Sequence, residues 1–462
     1  MSVIDVLLLC AVLIVALWWI AFPGRARDAL RLAPLALLVL AALQITLEGF
    51  YWQFFPVYVL IGVFDLLSIF SRGAPAGVLA TSGRIGLLVL MLAAVGPFLL
   101  MLPAPALPRP SGPYAVGTEI FRWVDAAREE TATPDPADKR NVVVQAWYPA
   151  APGARGRHSI YMDGLDQLPD MISLLPGFLL RSYYRIDTHA VERAPVAQDR
   201  PQWPVVLFSP GYGAPRAFYT SLLADLASRG YVVLALDHPY ESAVTQLADG
   251  RVVADAQLYP GEAEGQAWMV RQLDIRVADE QFALDQLVRP GAFGGLSGHL
   301  DPQHIAAIGH SFGGATAVAI MARDPRVKGA ANVDGALYGP VIQASLPHPF
   351  LLIQSDSAEG DHGEEAFVSA HKRIFRNLAA EGWHYEIARA NHFSFTDAEL
   401  FFALPARLAL PLVLGGERGA IETHRLTADL LDAFLAEPLG RPPASIEATA
   451  AKYKGLASHA TK

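Results

Sequence analysis

The clearest chemistry in the chain lies in one stretch, Ile305-Ala306-Ala307-Ile308-Gly309-His310-Ser311-Phe312-Gly313-Gly314. An apolar run of buried-strand type enters a Gly-x-Ser-x-Gly pattern, and a helical pattern leaves it at once. A serine on so tight a strand-to-helix turn is held in strained backbone geometry with its hydroxyl above the sheet. Gly309 and Gly313 remove side chains that would collide across the turn. Ser311 is therefore a candidate nucleophile. The Phe312 amide falls at the positive start of the new helix, where an oxyanion would form. A serine hydroxyl is a weak nucleophile until a base takes its proton, and on this layout the acid and then the histidine follow the nucleophile along the chain. His392, in Ala390-Asn391-His392-Phe393-Ser394-Phe395, comes just past a strand pattern at 384–388 and holds the place of the base. His362, His371, His384 and His424 sit in helical or strand patterns. His310 is set aside because adjacent residues on the turn point apart. Two carboxylates suit the acid: Asp334 after a strand pattern at 329–333, and Asp356 after one at 350–354. The residues alone leave both open. The amide of Tyr212, in the glycine-flanked turn Ser209-Pro210-Gly211-Tyr212-Gly213, is the natural second oxyanion donor. Acyl transfer by such a set needs neither metal nor organic cofactor.

The elements that must position these residues are legible too. Short apolar runs at 119–124, 142–148, 205–209, 231–237, 305–309, 329–333, 350–354 and 384–388 read as strands. Helical patterns at 218–229, 266–288, 314–323, 364–380 and 423–435 fall between or after them. Buried strands alternating with helices predict an α/β fold with a mostly parallel central sheet covered on both faces. Two apolar segments, 161–184 and 400–414, lie outside this alternation. They read either as inserts that roof the site and dip into a lipid interface, or as core beneath a long loop.

The first hundred residues are of another kind. The chain has 462 residues, 52% hydrophobic and only 18% charged, against about 25% charged for a soluble domain. The apolar excess collects near the N-terminus in runs at about 3–22, 31–49, 51–70 and 85–102, which read as four membrane-spanning helices. The start carries no Lys or Arg, and the first run is too long for a signal peptide. Arg25, Arg27, Arg31, Arg72 and Arg84 fall in the loops after the first and third runs. Basic loops stay cytoplasmic, so the sequence predicts an integral, multi-pass protein with everything after residue 102 on the periplasmic or extracellular side. Residues 103–113 hold five prolines and read as a semi-rigid linker. A catalytic domain is expected over 114–440 and a tail over 441–462. The net charge of −9 argues against a nucleic-acid partner. The single Cys10 allows no intramolecular disulfide. Oligomeric state is not readable.

The residues also carry a resemblance. Gly309-His310-Ser311-Phe312-Gly313-Gly314-Ala315-Thr316 looks like the elbow of the platelet-activating factor acetylhydrolases, plasma and intracellular isoform II type, within the α/β-hydrolase superfamily. Phe208-Ser209-Pro210-Gly211-Tyr212-Gly213 is similar to that family's oxyanion loop, with Pro210 where the family has a histidine. Val333-Asp334-Gly335-Ala336 resembles its acid segment, and His392-Phe393-Ser394-Phe395-Thr396-Asp397 its base segment. The resemblance spans roughly 114–439 and implies Ser311, Asp334 and His392 as a triad, with the Tyr212 and Phe312 amides as oxyanion hole. It favours Asp334 over Asp356. It further implies calcium-independent cleavage of short or oxidised acyl chains from phospholipids, a lipase-like activity. The expected protein is thus a membrane-anchored serine ester hydrolase acting on a lipid or small ester. The alternatives are a general carboxylesterase or polyester hydrolase, and a non-catalytic membrane sensor or transporter-associated module that only binds.

Overall fold

A computed structural model describes residues 2–22, 32–70, 81–172, 175–255, 260–358, 365–414 and 416–459. Arg25, Arg27, Arg31, Arg72, Leu174 and His362 lie outside the described residues. The chain forms two compact units. One is Met1–Pro105 with Phe178–Tyr183 and Phe401–Ala409; the other is Ala106–Gly177, Tyr184–Leu400 and Leu410–Lys462.

The first unit is built on four apolar helices, α1 (Val3–Ala21), α2 (Ala33–Glu48), α3 (Phe55–Phe70) and α4 (Thr81–Leu100). Ser2 and Asp5 close a reciprocal capping box that starts α1. Leu8, Val12, Val15 and Trp19, at helical spacing, turn inward against Leu37, Leu60 and Phe64. Leu7, Ile14 and Leu17 on the other side of α1 are each more than half exposed. A buried polar group sits among these helices: Gln44 donates to Asp5 and accepts from the Tyr58 hydroxyl. Among the described residues, three helices, Val3–Ala21, Trp52–Ile69 and Gly83–Leu100, are long and apolar enough to cross a membrane. The fourth expected span, α2, has 16 residues and is shorter.

Parts of the two apolar inserts belong to this helical unit. The Leu102 amide donates to Phe401 O at 2.8 Å, the Ala403 amide to Leu100 O at 3.0 Å, and the Ser182 hydroxyl to Pro103 O at 2.6 Å. Phe178–Tyr183 and Phe401–Ala409 thus pack with the helical unit, where Leu180, Tyr183 and Phe401 are fully buried. The proline stretch is divided as well. Pro103–Pro105 goes with the helices. Beyond it, Ser111 and Gly112 donate to Asp225 and Ser228 side chains, and Leu107 O meets the His189 ring. Residues 106–113 are thus tied to the α/β unit and are no free spacer.

The second unit is a ten-stranded sheet flanked by helices. Its strands are β1 (Ala115–Glu129), β2 (Lys139–Ala150), β3 (Ala190–Glu192), β4 (Trp203–Ser209), β5 (Val232–Asp237), β6 (Leu300–His310), β7 (Val327–Val333), β8 (Phe350–Ser355), β9 (Gly382–Ile387) and β10 (Leu456–His459). Their spatial order is β10-β9-β8-β7-β6-β4-β5-β2-β1-β3. The run from β5 to β9 is parallel; β2 and β10 pair antiparallel at its borders. Strands here carry apolar residues on both sides because both faces are covered. On β4, Val205 and Leu207 enter one core, with Leu273 and Val277 of α6 (Glu262–Gln286) and Ala315 and Val318 of α7 (Phe312–Arg323). Val206 and Phe208 enter the other, with Leu222 and Leu226 of α5 (Thr220–Ser228) and Leu430 and Phe434 of α9 (Ala420–Ala436). Helix α8 (Glu365–Asn377) follows β8 on the first face. The segment expected to be a tail instead forms a short helix, Ile446–Ala450, and the edge strand β10 on β9. The sheet's parallel strands deliver β4, β6, β7 and β8 side by side, so the loops at their carboxyl ends converge, as ligand-binding loops of open α/β sheets do.

Candidate active site

β6 ends at His310 and α7 begins at Phe312, so Ser311 alone makes the turn. Its φ of 55° and ψ of −126° lie outside the comfortable regions for a side-chain-bearing residue. The amide of Ser311 donates to Val333 O at 2.8 Å, which ties the turn to β7. The glycines are dictated by space. A Cβ on Gly309 would fall 2.1 Å from Gly313 O, and one on Gly313 1.9 Å from Ser209 O. Gly335 is as constrained: its Cβ would lie 2.0 Å from Ser311 O.

Asp334 follows β7 in a left-handed conformation, φ 58°, and is buried. One carboxylate oxygen accepts from the Ser355 amide at 2.6 Å; the other lies 2.8 Å from His392 Nδ1. His392 opens a 3-10 turn after β9, capped by Asn391, whose side chain accepts from the Phe393 and Ser394 amides. The imidazole is partly exposed, at 36% of its side-chain area, while the Asp334 side chain is fully covered. A buried carboxylate on Nδ1 is the arrangement that fixes the tautomer and orientation of a general-base imidazole. Asp356 is elsewhere in use. Its carboxylate accepts from the Ala358 and Arg389 amides at 3.0 and 2.7 Å and so staples the strand end that leads to His392.

The turn after β4 lies against Ser311: a Cβ placed on Gly211 would be 3.3 Å from Ser311 Cβ. The Tyr212 ring meets the Phe312 ring edge-on at 6.2 Å, so the residues owning the two expected oxyanion amides pack together. His310, set aside from sequence, is a brace between the loops. Its Nε2 donates to His392 O at 3.0 Å, its Nδ1 is 2.8 Å from the Tyr219 hydroxyl, and that hydroxyl accepts from the Gly211 amide at 3.0 Å. Its ring packs 4.5 Å from that of His392. His310, Asp334 and His392 bring possible ligand atoms within 4.8 Å of one another. Both His310 nitrogens are engaged by these bonds, so the cluster fits an imidazole–carboxylate pair better than a metal centre.

The description platelet-activating factor acetylhydrolase, isoform II, belongs to a family model that matches residues 102–256 and 268–440. The chain belongs to this family. It is a carboxylic ester hydrolase of α/β-hydrolase fold. The match begins where the helical unit's main segment ends, leaving residues 1–101 outside the comparison. A probable 1-alkyl-2-acetylglycerophosphocholine esterase from Arthroderma benhamiae is 26% identical over 323 residues, covering 63% of this chain and 76% of the relative. A platelet-activating factor acetylhydrolase from Cavia porcellus is 25% identical over 278 residues, covering 54% and 60%. Among solved structures, a ferulic acid esterase from Streptomyces cinnamoneus superposes with a TM-score of 0.63 at 28% identity. It covers 77% of this chain and 99% of that one.

Beneath the site of this esterase lies a polar network that sequence reasoning did not find. Ser209 Oγ is 3.0 Å from His238 Nε2, and His238 Nδ1 is 2.9 Å from Asp279. The order of groups mimics a triad, but all three are buried. Burial and the nearby Arg276 guanidinium hold the His238 imidazole below its ordinary pKa. Burial works to raise the Asp279 carboxyl, but Arg140, at 2.7 Å, and His238 pull it below its ordinary range. The faint signal in the sequence was charge where burial was expected: Asp237-His238-Pro239-Tyr240-Glu241 closes a core strand, and Arg276, Asp279 and Glu280 punctuate a long helix.

Proposed function

We propose that this chain is a membrane-anchored serine esterase that cleaves acyl esters of lipids, acting through Ser311, His392 and Asp334. The observation that carries the reading is the His392–Asp334 contact at 2.8 Å beside a serine in strained turn geometry. In the proposed mechanism Ser311 Oγ attacks the ester carbonyl while His392 Nε2 takes its proton. The Tyr212 and Phe312 amides receive the tetrahedral oxyanion. His392 returns the proton to the leaving alcohol, and Asp334 stabilises the imidazolium in between. Water, activated by the same histidine, then releases the acyl group and restores Ser311. No step calls on a metal or organic cofactor.

The lipid substrate is supported by the relatives' names, which specify glycerophosphocholine and platelet-activating factor esters. The anchor is supported by three helices of spanning length and by apolar residues on their outward sides. Helix α2, at 1.5 Å per residue about 24 Å long, crosses with flanking residues or local thinning of the bilayer. With four crossings, the loop arginines support an esterase unit outside the cytoplasm. A second reading, a general esterase for soluble or polymeric substrates, is favoured by the likeness to ferulic acid esterase. A substrate panel on the full-length protein separates them. A 2-acetyl glycerophospholipid cleaved with a kcat/KM at least tenfold above that for a feruloyl or aryl ester supports the lipid reading; the reverse order replaces it.

A further inference from the structure

Arg276, on α6, is fully buried and reaches beneath the turn that carries Tyr212. Its Nη1 donates to Pro210 O at 2.6 Å and to Ser209 Oγ at 3.2 Å; its Nη2 donates to Gly211 O at 3.3 Å. On its other edge, Nε and Nη2 grip the Glu241 carboxylate. The flat of the guanidinium lies 4.7 Å from the centre of the Phe312 ring. One cation thus touches the chain before Tyr212 and the side chain of Phe312, the residues of both proposed oxyanion amides.

We propose that Arg276 is the positioning residue of the oxyanion hole, an inference that rests on the triad reading above. The chain has no cis peptide bond among the described residues. In a trans peptide the carbonyl of one residue and the amide hydrogen of the next point in opposite directions. Holding Gly211 O on Arg276 therefore turns the Tyr212 N–H away from the guanidinium. The Gly211 backbone it belongs to lies against Ser311. The Ala214 amide also donates to Gly211 O, at 3.1 Å, so Arg276 and the turn's own backbone bond together fix a peptide whose glycine would accept either orientation. A charged donor on the carbonyl also polarises the amide, which strengthens the N–H as a donor. Glu241 neutralises the cation, so Arg276 acts through the backbone and never meets substrate. The Ser209–His238–Asp279 string closes the support from below: Ser209 Oγ is held between His238 and Arg276, which makes it a strut for the turn and no second nucleophile.

The test compares wild type, Arg276→Lys, Arg276→Gln and the charge-balanced double variant Arg276→Gln/Glu241→Gln in the full-length protein. The last avoids leaving Glu241 buried and unpaired. The readouts are kcat and KM for a short soluble ester, inhibition by a trifluoromethyl ketone that forms a tetrahedral oxyanion, and the pH profile of kcat/KM. Expected for the double variant is a kcat lower by ~10²–10³, the loss associated with one oxyanion donor. KM should stay within about twofold and ketone affinity fall in step with kcat. The pH profile should be unmoved, because His392 and Asp334 are intact, and Arg276→Lys should recover part of the loss. Full activity, a KM effect alone, or a kcat loss with unchanged ketone affinity would overturn the proposal. Failure of both glutamine variants to fold would also overturn it, making Arg276 a core element only. Absence of wild-type Ser311 labelling by a fluorophosphonate would instead bring down the underlying mechanism.

Discussion

Replacing Asp334 by asparagine is nearly isosteric, and its consequence can be read from the two bonds of the carboxylate. One oxygen accepts from the Ser355 amide at 2.6 Å and the other meets His392 Nδ1 at 2.8 Å. A carboxamide has one oxygen and one NH₂ to offer. The Ser355 N–H claims the oxygen, because an NH₂ there would face another donor in a buried site. The NH₂ is then left toward His392 Nδ1, which must accept. The ring proton moves to Nε2, and Nε2 can no longer take a proton from Ser311. The expected loss in kcat is ~10⁴, equivalent to about 5.5 kcal/mol of barrier, with folding intact because the Ser355 bond survives. Asp356→Asn should cost less than tenfold, since that carboxylate accepts from the Ala358 and Arg389 backbone amides near the strand end. Steady-state kinetics on a chromogenic ester, with melting curves to confirm folding, give both numbers. An Asp334→Asn enzyme that keeps a tenth or more of wild-type kcat, or a larger loss from Asp356→Asn, would refute the assignment of the acid.

Other outcomes follow from the same structure. Burial lifts the Glu280 carboxyl to about 8, with Arg276 opposing and Asp279 adding to the rise. The folded state therefore holds a proton that the unfolded state has released. The associated stability is complete below pH ~4.5 and disappears by pH ~8, on the order of 5 kcal/mol over that window. Glu280→Gln should flatten this dependence in denaturation midpoints taken from pH 5 to 9; an unchanged slope would show that Glu280 does not titrate there. Gly335→Ala, whose methyl would fall 2.0 Å from Ser311 O, should abolish activity or folding, whereas Gly295→Ala meets open space and should be neutral. Equal tolerance at both positions would contradict the geometry of the turn. An alkaline phosphatase fused after Lys462 should be active if the esterase lies outside the cytoplasm; fluorescence of a cytoplasm-only reporter at the same site would reverse the topology.

What the sequence revealed and what it hid have physical causes. The nucleophile elbow is legible because its constraints are local: glycines at fixed offsets, an apolar strand before and a helix after. His392 is legible because chain order in this fold is restrictive. The choice between Asp334 and Asp356 is not local. Both follow apolar strands, and only the side-by-side register of β6, β7 and β8 decides which carboxylate reaches the ring. Arg276 is invisible for a similar reason, since its partners Pro210, Gly211 and Glu241 lie 35 to 66 residues away, and an arginine in a helical pattern ordinarily reads as a solvated face. β10 escaped because Leu456-Ala457-Ser458-His459 is a largely exposed edge strand with no apolar run. The proline stretch misled in part. Proline content predicts stiffness but says nothing of the Asp225 and Ser228 side chains that fasten residues 111 and 112.

The central claim is that Ser311 is the nucleophile of an activated triad. Its most direct test is treatment of the full-length protein with a fluorophosphonate, followed by peptide mass spectrometry. The expected result is a single adduct on Ser311, absent from Ser311→Ala and strongly slowed in Asp334→Asn, with esterase activity lost in proportion to labelling. An adduct on another residue, or undiminished labelling of Ser311→Ala, would contradict it.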